Sequence, residues 1–559
     1  MGTYTGADAF LEVINRYGVE HVFFNPGIDN APLLEAISEC RSSDKPSPKS
    51  ILCLDESVAM HAAHGHHMAT GKAQVVLVHS ELGTMQIGGA IHNAQWGKIP
   101  VIFCAEPLGP SGRVNWRQEP FDQGSMVRNF VKWDHQLQDG EDLREVLQKA
   151  FHVASSEPCG PVYLILPRGI YDREMNSAYV YEEEAHDPYL SAAVDMDTLE
   201  EVADSLIEAK NPLIITGYLG RNRQAVPELV SLAEALCARV LTADVWMNFP
   251  NNHPLFAFMD PDTPWGGPSY LTTADVILAV DYDMHYAAPP TVPDPNSKII
   301  HMDMDLKNKG EPLWKRIPDI SVPVDSSTAV PALRDIISRK LTAQDRERLK
   351  RRFEDIKREH ARLREKWRTM AITSAEQVPI TRDWLCHCIN EVITEETIIV
   401  NQTITPSASV VHQIERTQPG SMFSCAGGSI GWAPGAGLGV KLGFPDRDVI
   451  SLMGDGAFVY GCPVATLWSA VFYNAPFLSV IFNNQAYNAI KMLFRETYDV
   501  DNMGADIKNP PDYAMVAQSC HAYGRTVEKP ADVIPALKEA LEQTRKGKPA
   551  VLDVRLSGR

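Results

Sequence analysis

An aspartate and an asparagine stand at the ends of two apolar runs. Val449 to Met453 is the first run, and it ends in Gly454-Asp455-Gly456. A helix-length segment follows. A second apolar run, Phe477 to Phe482, is closed by Asn483-Asn484. Such runs read as buried parallel strands. Glycines flanking the aspartate let a ligand approach the backbone closely. Open α/β sheets bind their ligands at the carboxyl ends of strands, where Asp455 and Asn484 both fall. Hard oxygen donors there suit Mg²⁺ shared with a phosphate, because Mg²⁺ keeps few protein ligands.

Gly-Asp-Gly alone is a common turn. Here it is followed by 26 residues and then Asn-Asn, which makes one long motif. The motif resembles the thiamin-diphosphate signature of the pyruvate decarboxylase and acetolactate synthase superfamily. That resemblance implies Asp455 and Asn484 as Mg²⁺ ligands, with the carbonyl of Ala486 as a third. It also implies Gly454, Gly456 and Ala457 beside the cofactor diphosphate.

Other stretches resemble the same superfamily. Leu52-Cys53-Leu54-Asp55-Glu56 ends a strand of the first domain, and Glu56 matches the family's carboxyl group at the pyrimidine ring nitrogen. On its own, Glu56 reads more readily as a helix N-terminal acid, favoured by the helix dipole. Cys425 to Trp432 resembles the loop that bends the cofactor. It implies Ile430 as the apolar wedge and Gly428 as carbonyl acceptor for the pyrimidine amino group. Thr403 and Thr405 end another strand and offer hydroxyls to the diphosphate. His79-Ser80 matches a pair in benzoylformate decarboxylases, and a histidine there moves protons near neutral pH. Gln86 stands where relatives often have asparagine, and Ile28 replaces a substrate-holding serine. His92 and His285 complete the candidate substrate residues; His92 reads as readily as an interior histidine.

The elements that must carry these residues alternate strand and helix. That pattern predicts an α/β protein of three doubly wound parallel-sheet domains. They are a pyrimidine-binding domain over 1–185, a central domain over 190–342 and a diphosphate-binding domain over 375–559. A charged segment over 343–374, rich in Arg, Glu and Lys, reads as a solvated linker helix. The chain has 559 residues, enough for about three domains. Its net charge of −19 argues against nucleic acid and anionic membranes as partners. Ten scattered cysteines without paired CxxC sets suggest reduced thiols and a cytoplasmic location. Cys386-His387-Cys388 falls in an amphipathic helix without a second pair, so it does not read as a metal site. No apolar run is long enough to span a membrane.

The resemblance implies a thiamin-diphosphate- and Mg²⁺-dependent enzyme acting on a 2-oxo acid. Decarboxylation leaves an enamine. Coupling it to a second carbonyl, as in acetolactate synthase, is the first expectation. Protonating it to an aldehyde, as in benzoylformate decarboxylase, is the second. A non-catalytic cofactor-binding subunit is the rival of another class, and the retained Glu56 and metal pair argue against it. FAD is not expected, since 190–340 has no convincing dinucleotide loop. The family places its cofactor between two chains, which implies a homodimer or homotetramer.

Overall fold

The computed structural model describes residues 4–107, 122–167, 169–177, 195–243, 245–258, 269–283, 293–306, 316–498, 500 and 503–557. Three six-stranded sheets carry the chain, and every strand pair recorded within them is parallel. The first holds β1 (His21–Phe24), β2 (Lys49–Leu52), β3 (Gln74–Val78), β4 (Val101–Ala105), β5 (Trp133–Gln136) and β6 (Val162–Ile165). Its order is β2-β1-β3-β4-β6-β5. The central sheet holds β7 (Pro212–Thr216), β8 (Arg239–Thr242), β9 (Phe256–Ala257), β10 (Val276–Val280), β11 (Lys298–Asp303) and β12 (Ile320–Pro323). Its order is β12-β11-β10-β7-β8-β9. The third holds β13 (Ile398–Gln402), β14 (Met422–Ser424), β15 (Val449–Gly454), β16 (Leu478–Asn483), β17 (Tyr523–Val527) and β18 (Ala550–Arg555). Its order, β14-β13-β15-β16-β18-β17, repeats that of the first sheet strand for strand.

Each outer sheet therefore reverses direction between its first and third strands. Crevices open at such switch points. In the first sheet that point lies between β1 and β3, and in the third between β13 and β15. The central strands of both sheets are buried from end to end, as their unbroken apolar runs require.

Two helices bind the outer sheets together. Glu56–Thr70 follows β2 and Trp432–Gly443 follows β14. A Cβ added at Gly435 would meet His61, and one at Gly439 would lie 1.9 Å from the Ala62 carbonyl oxygen. At Gly443 it would meet Ala69, and at Gly65 the Ala436 backbone. Contacts advance in the same sense along both helices, so they run parallel. Only glycine allows backbones this near. Both helices are almost wholly buried, which explains why neither shows a one-sided apolar stripe.

The charged linker is one helix, Ala343–Thr373, started by a capping box between Thr342 and Asp345. It is not simply solvated. Leu349, Ile356, His360, Trp367 and Ala371 form a buried stripe along it. Trp367 stacks on His412 with ring centroids 3.8 Å apart and packs edge-on against Phe258. The linker thus clamps the central sheet to the third. Cys386 and Cys388 are buried free thiols in the helix Arg382–Val392. No described helix is long and apolar enough to cross a membrane.

The glycine contact gives a direct expectation. Gly439→Val should cost about 1–3 kcal/mol through overpacking. Thermal denaturation should show a lowered midpoint, whereas Gly140→Val at an open turn should act through backbone strain alone, since its φ is +94° and a Cβ there meets nothing within 4 Å.

Candidate active site

The third sheet presents its acid first. β15 runs into Gly454, and Asp455 opens the helix Asp455–Tyr460. Asp455 is buried, and its Oδ1 accepts a hydrogen bond from the Gly456 N–H at 2.9 Å. Its Oδ2 is buried with no partner. Burial raises the Asp455 pKa to about 6, against the pull of backbone N–H groups at Gly456 and Gln485. Asn484 follows β16, and its Oδ1 accepts from the Ala486 N–H at 3.2 Å. Between them Gln485 sits at φ +57°, in the left-handed region. Asp455, Asn484 and Ala486 line one cavity of about 290 Å³, with Gly454, Gly456, Ala457 and Thr405. A buried carboxylate oxygen without a partner is costly unless a cation or donor reaches it. A carboxylate, an amide oxygen and a carbonyl together suit Mg²⁺. Gly454 adds room for a ligand, since a Cβ there would meet nothing within 4 Å.

Ile430 lies on the wall between this cavity and a second one of about 320 Å³. Thr403 and Gly428 line the second. Gly428 has φ +76° and open space where a side chain would stand. The Thr403 hydroxyl donates to Asn401 Oδ1 at 2.8 Å, so its proton is already engaged. The loop that carries Ile430 is pinned from two sides. Gln402 Nε2 donates to the Ser429 carbonyl at 2.9 Å, and Asn93 Nδ2 donates to it at 3.0 Å. Asn93 Oδ1 accepts from the Ser429 N–H at 3.1 Å. The central domain closes the second cavity with Tyr218, Tyr282 and Asp283. Asp283 is ion-paired to Lys98 of the first domain at 2.6 Å.

The first sheet gathers its candidates at the carboxyl ends of β1, β2 and β3. Glu56 opens its helix behind Asp55, whose Oδ1 caps the N–H groups of Ser57 and Val58. Glu56 is buried, and a Cβ at Gly83 would lie 3.0 Å from its Oε1. A glycine at 83 thus leaves room for the carboxylate. His79 Nδ1 meets Asp29 Oδ1 at 2.7 Å. Gly27 makes that pair possible, because a Cβ there would lie 1.9 Å from the His79 Nδ1. Gln86 Nε2 donates to Asp55 Oδ2 at 3.2 Å. Ile28 is 77% exposed, and Leu54, Leu82 and Met85 are exposed as well. Neither Glu56 nor His79 lines the two cavities of the third sheet. His92 lines neither cavity; its ring packs edge-on to Trp96 and Phe130. Its neighbour Asn93 reaches Ser429 in the loop that carries Ile430 instead. His285 lies outside the described residues. Asp29 and Asp283 had no sequence signal of their own, since each acts through a partner distant in the chain.

Three family models match in chain order. The thiamine pyrophosphate enzyme N-terminal binding domain covers 4–126, the central domain 199–333 and the C-terminal binding domain 405–554. The chain belongs to the thiamin-diphosphate-dependent enzyme superfamily. Benzoylformate decarboxylase of Pseudomonas aeruginosa is 26% identical over 98% of both chains. Acetolactate synthase isozyme 3 large subunit of Escherichia coli is 24% identical over 100% of this chain and 96% of that one. Among solved structures, benzoylformate decarboxylase from Polynucleobacter necessarius superposes with a TM-score of 0.81 at 22% identity, covering 99% of each chain. These comparisons support a thiamin-diphosphate-dependent enzyme of the 2-oxo acid family.

The orphaned carboxylate predicts a pH-dependent cost. A carboxyl whose folded pKa is raised binds its proton more tightly folded than unfolded. The contribution of Asp455 to stability is then greatest below about pH 4 and is lost as pH rises toward about 6. Asp455→Asn removes the charge and keeps an acceptor. In chelator-treated protein it should therefore raise stability by about 2–3 kcal/mol at pH 7.5 and by less at pH 5. Denaturation midpoints at the two pH values check this; an equal effect at both would remove burial of the charge as its cause.

Proposed function

We propose that the chain is a thiamin-diphosphate- and Mg²⁺-dependent decarboxylase of a 2-oxo acid that releases an aldehyde. The observation that carries this reading is the His79–Asp29 pair at the end of β3. Bound thiamin diphosphate supplies a nucleophilic carbon and the electron sink for carbon dioxide loss. Asp455, Asn484 and the Ala486 carbonyl would hold the Mg²⁺, and Thr405, Gly454, Gly456 and Ala457 would flank the diphosphate. Gly428 would accept from the pyrimidine amino group, beside Thr403. Ile430 would prop the cofactor in its bent form. Glu56 would hold a proton at the pyrimidine ring nitrogen.

His79 then moves the proton that an aldehyde product needs. Asp29 accepts from Nδ1–H, which fixes the tautomer and leaves Nε2 free to take and return a proton. The His79 side chain is 24% exposed, so it remains reachable. Ile28 adjoins Asp29 in the chain, Gln86 is hydrogen-bonded to Asp55, and both would shape the substrate side. Ile28 offers no group for a carboxylate, which favours an apolar contact with the substrate.

A second reading is carbon–carbon bond formation with an acceptor carbonyl. Likeness over the whole chain to acetolactate synthase large subunits favours it. Aliphatic and aromatic 2-oxo acids, each with and without an added aldehyde, separate the two by mass spectrometry of the products. Aldehyde as the main product supports the first reading; a 2-hydroxy ketone or acid as the main product assigns the second. His79→Ala should lower aldehyde formation about 10²–10⁴-fold. Asp29→Asn should act in the same direction. Unchanged aldehyde turnover in His79→Ala would remove the pair from proton transfer.

The proposed site also needs two chains. Glu56 faces neither cavity of its own third sheet, and the apolar Ile28, Leu54, Leu82 and Met85 stand exposed on its side of the first. Exposed apolar groups of this kind suit contact with another chain. A homodimer, or a homotetramer built from it, would bring Glu56 of one protomer to Asp455 of its partner. Inactive Glu56→Gln and Asp455→Ala chains, mixed under subunit exchange, should regain part of the activity. No recovery despite proven exchange would sink the shared site.

A further inference from the structure

Glu20, His21 and His66 meet at the end of the first sheet opposite the candidate active site. His21 is the first residue of β1, and His66 lies near the carboxyl end of the helix Glu56–Thr70. One carboxylate oxygen and two ring nitrogens all lie within 4.8 Å of one another. The two imidazole rings are 4.7 Å apart. His66 is fully buried, and neither of its nitrogens has a hydrogen-bond partner. His21 is buried too, and its Nδ1 has none. Gln74, also fully buried, turns its side chain to the His66 ring and interacts with it, but no hydrogen bond of good geometry satisfies its Oε1 or the ring nitrogens. Native interiors rarely leave so many polar atoms unpaired in one place.

We propose that Glu20, His21 and His66 form a transition-metal site that takes Zn²⁺. Two imidazoles and a carboxylate are a zinc donor set that leaves a fourth position for water. Imidazole binds a metal only when neutral. Burial keeps both rings neutral, lowering the pKa of His21 to about 4 and of His66 to about 3. A metal-bound histidine donates its other N–H to a nearby acceptor. Gln74 Oε1 is such an acceptor, so one ion would satisfy both histidines and the glutamine. Glu20 is exposed and gives the ion an entry path.

Two cations oppose the ion. Lys72 Nζ is paired to Glu20 Oε1 at 2.5 Å, and Lys49 stands opposite His21 on β2. Lys72 must release Glu20 for metal to bind, so affinity is set by that competition. The bound ion would tie the start of β1 to the helix whose other end presents Glu56, about 15 Å away. It would brace that helix, not take part in the reaction.

The test uses the full chain loaded with Mg²⁺ and thiamin diphosphate. Calorimetric titration with Zn²⁺ should find one ion per chain, and the thermal midpoint should rise with Zn²⁺. Co²⁺ in its place should give the intense visible bands of a tetrahedral site. Glu20→Gln should weaken Zn²⁺ at least tenfold, and Lys72→Met should tighten it. Both positions are partly solvent-exposed, so folding is not at stake as it is for His66→Gln. Asp455→Ala should keep the Zn²⁺ site, which separates it from the proposed Mg²⁺ site. No stoichiometric Zn²⁺, or equal affinity in wild type and Glu20→Gln, would overturn the proposal. So would loss of Zn²⁺ with Asp455→Ala alone.

Discussion

The contact between the helices Glu56–Thr70 and Trp432–Gly443 is the constraint on which the rest depends. Gly435, Gly439 and Gly443 bring one backbone onto the other, and Gly65 answers from the opposite side. That closeness orients the two outer sheets. It also helps fix where their switch points lie, because each helix follows a strand of its sheet after a short loop. Glu56 is the first residue of one helix, and Ile430 precedes the other by two residues. A larger side chain anywhere along this seam would shift both. Packed interiors transmit such strain, because they have little free volume.

The two sheets share one strand order and present different chemistry at equivalent ends. The third sheet offers a buried acid, an amide and open glycine backbone, which suit a metal and an anionic ligand. The first offers Glu56 and the His79–Asp29 pair, which suit proton transfer. This division has an electrostatic cause. A carboxylate intended for a cation can stay buried and unpaired until the cation arrives. A histidine intended for proton transfer needs a fixed tautomer and an accessible nitrogen, so it sits at a rim. The central domain touches both halves, through Lys98–Asp283 on one side and the second cavity on the other.

Central strands were legible because burial on both faces demands apolar runs. Val449–Gly454 and Leu478–Asn483 are such strands, within a residue of the apolar runs Val449 to Met453 and Phe477 to Phe482. Edge strands were not. β5 carries Trp-Asp-His-Gln and is only half-buried, so nothing in its pattern separates it from a loop. β14 is three residues long, and β17 contains a glycine and an arginine. The charged linker hid its stripe because Leu349, Ile356 and Trp367 are widely spaced among many charges. At the site, motif residues were legible and their partners were not. Asp29 lies fifty residues from His79, and Asn93 lies 336 residues from Ser429. Pairing across such distances is a property of the sheet order and leaves no mark in local spacing.

The glycines around the site show how far such partnerships reach. Gly27 closes Asn25-Pro26-Gly27 after β1, yet the space it leaves is taken by His79 from beyond another strand. Gly83 leaves room for the Glu56 carboxylate, and Gly456 leaves room for the Tyr487 ring. In each case the missing side chain belongs to one element and the group it admits belongs to another. A substitution at any of them would act on the chemistry without touching a titratable residue. In the proposed reaction, positions such as 27 and 83 would therefore govern proton transfer as firmly as the groups that carry the proton, because they decide where those groups can stand.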